Sequence, residues 1–445
     1  LGHPGLKREI SLIQATSINM IDMVGIGPFV TIPLVIGKLG PHFLYAWMLG
    51  AAISFIDAFI WSELGSAYPK AGGSYNFLRE EYGRRWGKLL SFLFVWQTTI
   101  QAPLVVASGA IGFAQYASYL YPLNPAEQKV VSGGLVLLLV GLLYREIKAI
   151  GRISVLLWVS VILILIWIIA AGFTYHAPVS GWLDSALALP DLSMMFFVAL
   201  GSASVKTIYS YLGYYNVCHL GGEIRNPEVN IPRSIFISVG GISVLYLLLN
   251  LSVVRVIPWQ EAMHSPFVAS DLIGRVFGHQ AGMAATALVL LIAFASLFAV
   301  MLGYSRIPYA AALDGQFFSV FGKLHPSKDF PYVSLLTLGA VSFVFSLLFR
   351  LSDVITAVLA MRIVVQFIGQ AAGIALLRRR TGGTHLKFRM PLYPLPVILA
   401  IAVWIYVFVS TGSTFMQSGL AMMGLGVLVY LIKDRIALAR VGGKK

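Results

Sequence analysis

Twelve mostly apolar stretches, each near the roughly 20 residues that a helix needs to cross a bilayer, follow one another along the 445-residue chain. They lie near 12–36, 41–67, 86–120, 127–144, 151–173, 193–219, 233–254, 281–304, 332–349, 354–377, 394–411 and 414–432. Turn formers separate them: Gly40-Pro41, Pro122 to Pro125, Pro227, Pro232, Pro326, Pro331 and Pro391 to Pro396. Only 11% of the residues are charged, against roughly 25% in an average soluble domain. That is too little charge to cover a soluble globule of this length. The pattern predicts an all-α membrane protein with about 12 transmembrane helices. No series of short alternating segments suggests a membrane barrel, and no G-x-x-x-x-G-K-S/T phosphate loop is present. The polar start of the chain (Lys7, Arg8, Glu9) lacks a secretory cleavage site, so the first span is expected to be retained. A single cysteine, Cys218, excludes an intrachain disulfide framework and a multi-cysteine metal site.

The net charge of +14 reads as topology. Of the 32 Lys and Arg, 25 fall in segments on the side of the N-terminus, 5 on the other side, and Lys206 and Arg362 within spans. Basic loops mark the cytoplasmic face, so both termini are expected in the cytoplasm, in a multi-pass protein of the cytoplasmic membrane. A nucleic-acid partner is not needed to explain the charge.

Two spans are interrupted. Gly25-Ile26-Gly27-Pro28 falls halfway along the first, and proline removes a donor where glycine already disfavours helix. In the sixth, Gly213 stands among Tyr209, Ser210, Tyr211, Tyr214, Tyr215 and Asn216, ahead of Gly221-Gly222-Glu223. Taken singly, each also fits a packing kink or an aromatic stripe. Together they open successive five-span blocks, 12–173 and 193–377, and an odd number of spans inverts the second block. Paired discontinuous helices in inverted repeats point to the midplane site of a secondary transporter. The N-terminus of a half-helix suits a carboxylate, and the C-terminal carbonyls opposite suit an ammonium.

At these residues the chain resembles the amino acid–polyamine–organocation transporter family. The first-span signature stands as Met23-Val24-Gly25-Ile26-Gly27-Pro28-Phe29. The second-span exit, Glu63-Leu64-Gly65 through Tyr68-Pro69 to Gly72-Gly73-Ser74-Tyr75, is its most specific piece. Gly222-Glu223-Ile224-Arg225-Asn226-Pro227 to Ile231-Pro232-Arg233 matches the sixth-span exit, and Ser305-Arg306 to Asp314-Gly315 resembles the eighth. The resemblance implies a five-plus-five inverted repeat, the fold of sodium-coupled leucine transporters, with two further helices at 394–432 between cytoplasmic ends at 1–11 and 433–445. It implies alternating access, with Gly25, Ile26 and Gly27 offering N–H groups to a substrate carboxylate. Tyr209, Ser210, Tyr211 and Leu212, next to Gly213, would offer carbonyls to its amine. It also implies a gating aromatic at Tyr209 and a cytoplasmic gate or loop role for Glu63, Gly72 and Gly73. Two departures stand out: the fifth-span stretch Leu157 to Ile162 carries no lysine, and Tyr215 stands where basic-amino-acid exchangers can carry glutamate.

Ionisable groups inside spans are costly and mark function by default. Asp22 and Lys206 flank the two interruptions, and the sequence predicts either a coupling role, with Asp22 carrying a proton and Lys206 replacing a sodium ion, or a static buried pair. Asp22 is also a candidate anchor for a second amine. Asp57, Glu63 and Arg362 complete the set. Gln97, a turn before Gln101, is a candidate cavity residue, and Ser296 a candidate for a cation site. His176, His264, His279 and His325 lack metal-ligand spacing, so neither metal nor cofactor is expected. A channel would call for a selectivity filter, and an enzyme for a catalytic cluster at one depth; neither is present. The expected function is secondary active transport of amino acids, neutral in class because the sixth-span site lacks an acid, by proton symport or exchange. The alternative is a polyamine or cationic amino acid substrate with Asp22 as counter-charge.

Overall fold

The computed structural model describes residues 8–145, 147–383 and 386–442, and among them it contains helices, turns and two isolated bridges but no strand. Of the basic residues counted for orientation, Lys7, Lys444 and Lys445, and the side chains of Arg84, Arg85, Lys148, Arg435 and Arg440, lie outside the described residues.

The first interruption separates α1 (Leu12–Met23) from α2 (Gly27–Leu39). Ser11 and Gln14 form a reciprocal capping box that starts α1, and Pro28 sits in the first turn of α2, where its missing N–H is harmless. Gly40, with φ +54°, ends α2 and turns the chain toward α3 (Leu44–Ala67). The helix of the third expected span, α4 (Ser74–Ala117), starts before residue 86 and bends at Gly83. Then come α5 (Pro125–Leu143), opened by an Asn124–Glu127 capping box, and α6 (Ile147–Thr174). A short α7 (Trp182–Ala186) leads to α8 (Met194–Tyr211), which is broken from α9 (Asn216–His219).

The chain continues through α10 (Pro227–Val256), the short α11 (Trp259–Ala262), α12 (Val268–Phe277), α13 (His279–Tyr304) and α14 (Arg306–Leu313). Next are α15 (Tyr332–Leu348) and α16 (Leu351–Arg362). A π-helical segment, Ile363–Gly369, joins α16 to α17 (Gln370–Thr381). The last two helices are α18 (Leu395–Ser410) and α19 (Ser413–Gly442).

Eight helical stretches among the described residues are long and apolar enough to cross a membrane, and α15 and α18 are shorter apolar helices. The polarity is that of a membrane bundle. Leu156, Leu163 and Ile166 of α6, and Leu420, Leu428 and Ile432 of α19, face outward, while Asp57, Glu63, Gln97 and Gln366 are buried. Backbone that is neither helix nor strand is tolerated at that depth only where protein encloses it. Both interruptions meet this condition, since every residue from Val24 to Ile26 and from Leu212 to Tyr215 is buried.

Several basic segments converge on one end of the bundle. Arg306 pairs with Glu223, Arg378 with Glu63, and Arg79 with Asp314. Arg380 donates to the carbonyl of Glu80, and Lys433 to that of Gln316. The start of the chain is pinned at the same end, where Ile10 bridges to Ile224. We refer to this as the basic end.

Candidate functional site

The site is built where the two interrupted helices pass each other. At the end of α1, Val24 N–H still reaches Met20 O at 2.9 Å, whereas Gly25 N–H turns back to Met23 O at 3.1 Å. Gly25 N–H therefore already has a partner. The donors left at the helix start are those of the first turn of α2, from Ile26 and Gly27 onward. Gly25 has no room for a side chain: a Cβ would lie 2.6 Å from Ser296 Oγ.

At the other interruption, Leu212 N–H closes the last turn of α8 on Ile208 O at 3.1 Å. Leu212 is extended, and Gly213 takes φ +125°, a conformation that suits glycine alone. A Cβ on Gly213 would lie 2.8 Å from both Asp22 Cγ and Met23 N. The two breaks are thus in direct contact. Three side chains bridge them: Thr31 Oγ1 lies 2.9 Å from Ser210 Oγ, Asn19 Oδ1 accepts from Val217 N–H at 2.8 Å, and Tyr246 Oη lies 2.7 Å from Met23 O and 3.1 Å from Ser210 O.

A cavity of about 50 Å³ lies at this junction. Asp22, Gly25, Ile26, Gly27, Tyr209, Ser210, Leu212 and Gly213 line it, as does Arg362 from the end of α16. The space takes a few water molecules, so an amino acid requires the site to open. Asp22 faces the Asn216 side chain and lies in the field of Arg362. Arg362 is 1% exposed and donates to the hydroxyls of Tyr215 and Tyr304, which also line the cavity. The charged lining thus holds one acid and one base.

A family model described as amino acid permease matches residues 10–431. The chain belongs to the amino acid permease family. It is 25% identical over 432 residues to the serine/threonine exchanger SteT of Bacillus subtilis (strain 168), covering 96% of this chain and 95% of that protein. It is 22% identical over 457 residues to the branched-chain amino acid permease BcaP of the same organism, covering 98% and 94%. To the aspartate-proton symporter of that organism it is 24% identical over 389 residues, covering 81% and 71%. The protein is thus a multi-pass integral membrane transporter of the amino acid permease type, not an enzyme.

Other residues singled out in the permease sequence lie elsewhere. Tyr211 points away from the cavity, with its ring 6.1 Å from that of Trp47 and 5.2 Å from that of Tyr246. Gln97 is fully buried on α4 but is not among the lining residues. Lys206 and Asp22 face different partners. Lys206 Nζ donates to Thr356 Oγ1 at 2.8 Å and lies in the field of Asp353, both on α16. Its long stem carries the ammonium away from the break. Glu63 lies at the basic end, where its carboxylate accepts from Arg378 Nε at 2.6 Å and from Met390 N–H at 2.6 Å. Tyr209 Oη is 2.7 Å from Ser108 Oγ, linking α8 to α4 across the cavity wall.

Among the aromatic and charged lining residues, sequence reasoning left Tyr215, Tyr304 and Arg362 out of the site, and Ser296, a candidate only for a cation site, also lines it. Arg362 carried a signal, being an ionisable residue within a span. Tyr215 stood out only as a departure from basic-amino-acid exchangers, and Tyr304 gave no signal, because aromatic residues are common in packed bundles.

Proposed function

We propose that this permease is a secondary active transporter that moves neutral amino acids by alternating access, by proton symport or by exchange. The observation that carries the proposal is the meeting of the first turn of α2 with the last turn of α8 around one buried cavity. Helix-start N–H groups at Ile26 and Gly27 are suited to the α-carboxylate, and carbonyls at the end of α8 to the α-ammonium. The opposed charges of Asp22 and Arg362 favour a substrate with no net charge over a polyamine or cationic amino acid.

In this reading, residues 12–173 and 193–377 are the inverted repeats of a twelve-span, five-plus-five fold, with 394–432 as two added spans and both termini cytoplasmic at the basic end. Asp22 is the proton-carrying group. Lys206, held to α16 through Thr356, is the coupling ammonium that stands in for a sodium ion. Tyr209 and Glu63 act as gates, Tyr209 at the cavity wall and Glu63 through Arg378 at the basic end.

The test is radiolabelled uptake into proteoliposomes across a panel of amino acids and polyamines, with and without a pH gradient. Uptake of neutral amino acids is expected. Inhibition by putrescine or arginine but not by leucine transfers the assignment to cationic substrates, and uptake of no member of the panel ends it.

A further inference from the structure

Between the cavity and the basic end, the tenth span carries a file of buried polar groups. Arg362, Gln366 and Gln370 recur every four residues, Gly373 follows, and all four are buried. Such spacing keeps residues on one face of a helix, and the π-helical segment Ile363–Gly369 lies within the file. Arg362 Nε, both polar side-chain atoms of Gln366, and Gln370 Nε2 have no hydrogen-bond partner. Gln370 Oε1 accepts from Ser74 Oγ at 2.7 Å.

One turn further on, Glu81 packs against Gly373, where a Cβ would lie 2.5 Å from Glu81 Oε2. Glu81 is 1% exposed, and neither of its carboxyl oxygens has a partner. Gln97 and Gln101 on α4, the helix packed along α16, the π segment and α17, are buried and equally without partners. Buried polar groups are satisfied by protein or by ordered water, and a water that makes two to four bonds suits a file of amides.

We propose that this face of the tenth span is a proton path, a file of water running from the substrate cavity to Glu81, its port at the basic end. The file covers about 15 Å at helical rise. When the basic end opens, Glu81 takes a proton from solution on one carboxyl oxygen and gives it to the first water of the file. The excess proton then advances as each water makes one O–H bond and releases another, and the Asp22 carboxylate receives it. One proton moves, and no oxidant or other reactant takes part. Outward movement reverses the same bonds.

Burial holds the Glu81 carboxyl well above its ordinary range. Glu80 and Tyr82 flank it on its own helix, with Tyr68 beyond α3 and Arg378 and Arg380 on α17. Arg378 is bound to Glu63 and Arg380 to the carbonyl of Glu80. Arg362 stands where the path meets the cavity. Its fixed charge repels an arriving proton; the Asp22 carboxylate offsets that charge only in part, and a bound α-carboxylate supplies the second negative group that completes the offset. Proton passage is thereby tied to occupancy, as symport requires.

The proposal rests on the amino acid transport reading, and its test separates the two. Purified permease is reconstituted with an internal pH dye, and substrate-driven proton movement is recorded beside radiolabelled counterflow, which needs no net proton transfer. In the wild type, proton movement accompanies net uptake. Glu81→Gln and Gln366→Leu are expected to slow proton movement about tenfold or more while counterflow persists. Gln366→Ser, which keeps a polar group and space for water, should retain it. Wild-type proton movement in Glu81→Gln or Gln366→Leu overturns the path, as does loss of counterflow together with proton movement in both. Counterflow without any proton movement in the wild type overturns the path and leaves the transport reading standing. Absence of counterflow for every amino acid removes both.

Discussion

The hydroxyl of Tyr246 on α10 lies 2.7 Å from the carbonyl oxygen of Met23, the last residue of α1. Ser210 O, in the last turn of α8, is 3.1 Å from the same hydroxyl. One phenol thus serves carbonyls at both interruptions, and its single proton can satisfy only one at a time. Tyr246 is fully buried, so no solvent replaces it. Tyr246→Phe keeps the ring and removes the donor. A buried acceptor left unpaired costs about 1–3 kcal/mol, so the variant should melt at a lower temperature and take up substrate several-fold more slowly. Wild-type melting and uptake would show that the two breaks need no shared donor.

Gly213 tests the contact between the breaks from the other side. Its φ of +125° disfavours a side chain, and a Cβ would meet Asp22 and Met23 at 2.8 Å. Gly213→Ala should abolish uptake by driving the breaks apart. Gly181 is the control. It also has a positive φ, +64°, but nothing lies within 4 Å of a Cβ there. Gly181→Ala carries only local backbone strain, about 1–2 kcal/mol, and should transport nearly as well as wild type. Equal loss in the two variants would mean that strain, not contact, is responsible.

Both interruptions are legible in the sequence because glycine and proline act locally: Gly25-Ile26-Gly27-Pro28 and Gly213 mark the helix ends to within a few residues. Arg362 is legible as an anomaly, but its place is not, since Tyr215 reaches it from the second interruption and Tyr304 from the end of α13. The π segment at Ile363–Gly369 leaves no comparable mark, for only Gly369, at its end, is a helix breaker. Tyr211 and Lys206 show a further limit. Sequence puts them near the break, whereas ring packing against Trp47 and the reach of a lysine stem to Thr356 decide where their polar ends go.

At the basic end, Glu63 is fully buried and takes two bonds from Arg378 and one from Met390 N–H. Removing one partner of a buried pair strands the other charge and costs about 3–5 kcal/mol. Arg378→Leu should therefore sharply lower the apparent melting temperature. Glu63→Gln combined with Arg378→Leu should recover part of the loss, because no charge is then left unpaired. A double variant no more stable than Arg378→Leu would show that the pair is not an isolated electrostatic unit. The recovered variant should exchange substrate faster across the basic end if Glu63 is a gate.

Glu81 gives a prediction with a definite sign. Burial raises its carboxyl well above the ordinary value of 4.5. Between the unfolded value and the raised folded one, the folded chain holds more protons than the unfolded chain, so stability falls as pH rises through that interval. Below the unfolded value the carboxyl is protonated in both states and costs nothing. Glu81→Gln keeps the shape and cannot ionise. The variant should match wild type in acid and become progressively more stable than wild type as pH rises above about 4.5, up to the folded value. Melting curves of both proteins in detergent from acid to mildly alkaline pH would measure the difference. A gap that stays constant across the range would mean that Glu81 does not titrate between the two states, and a gap that widens toward acid would mean that its carboxylate is stabilised in the fold.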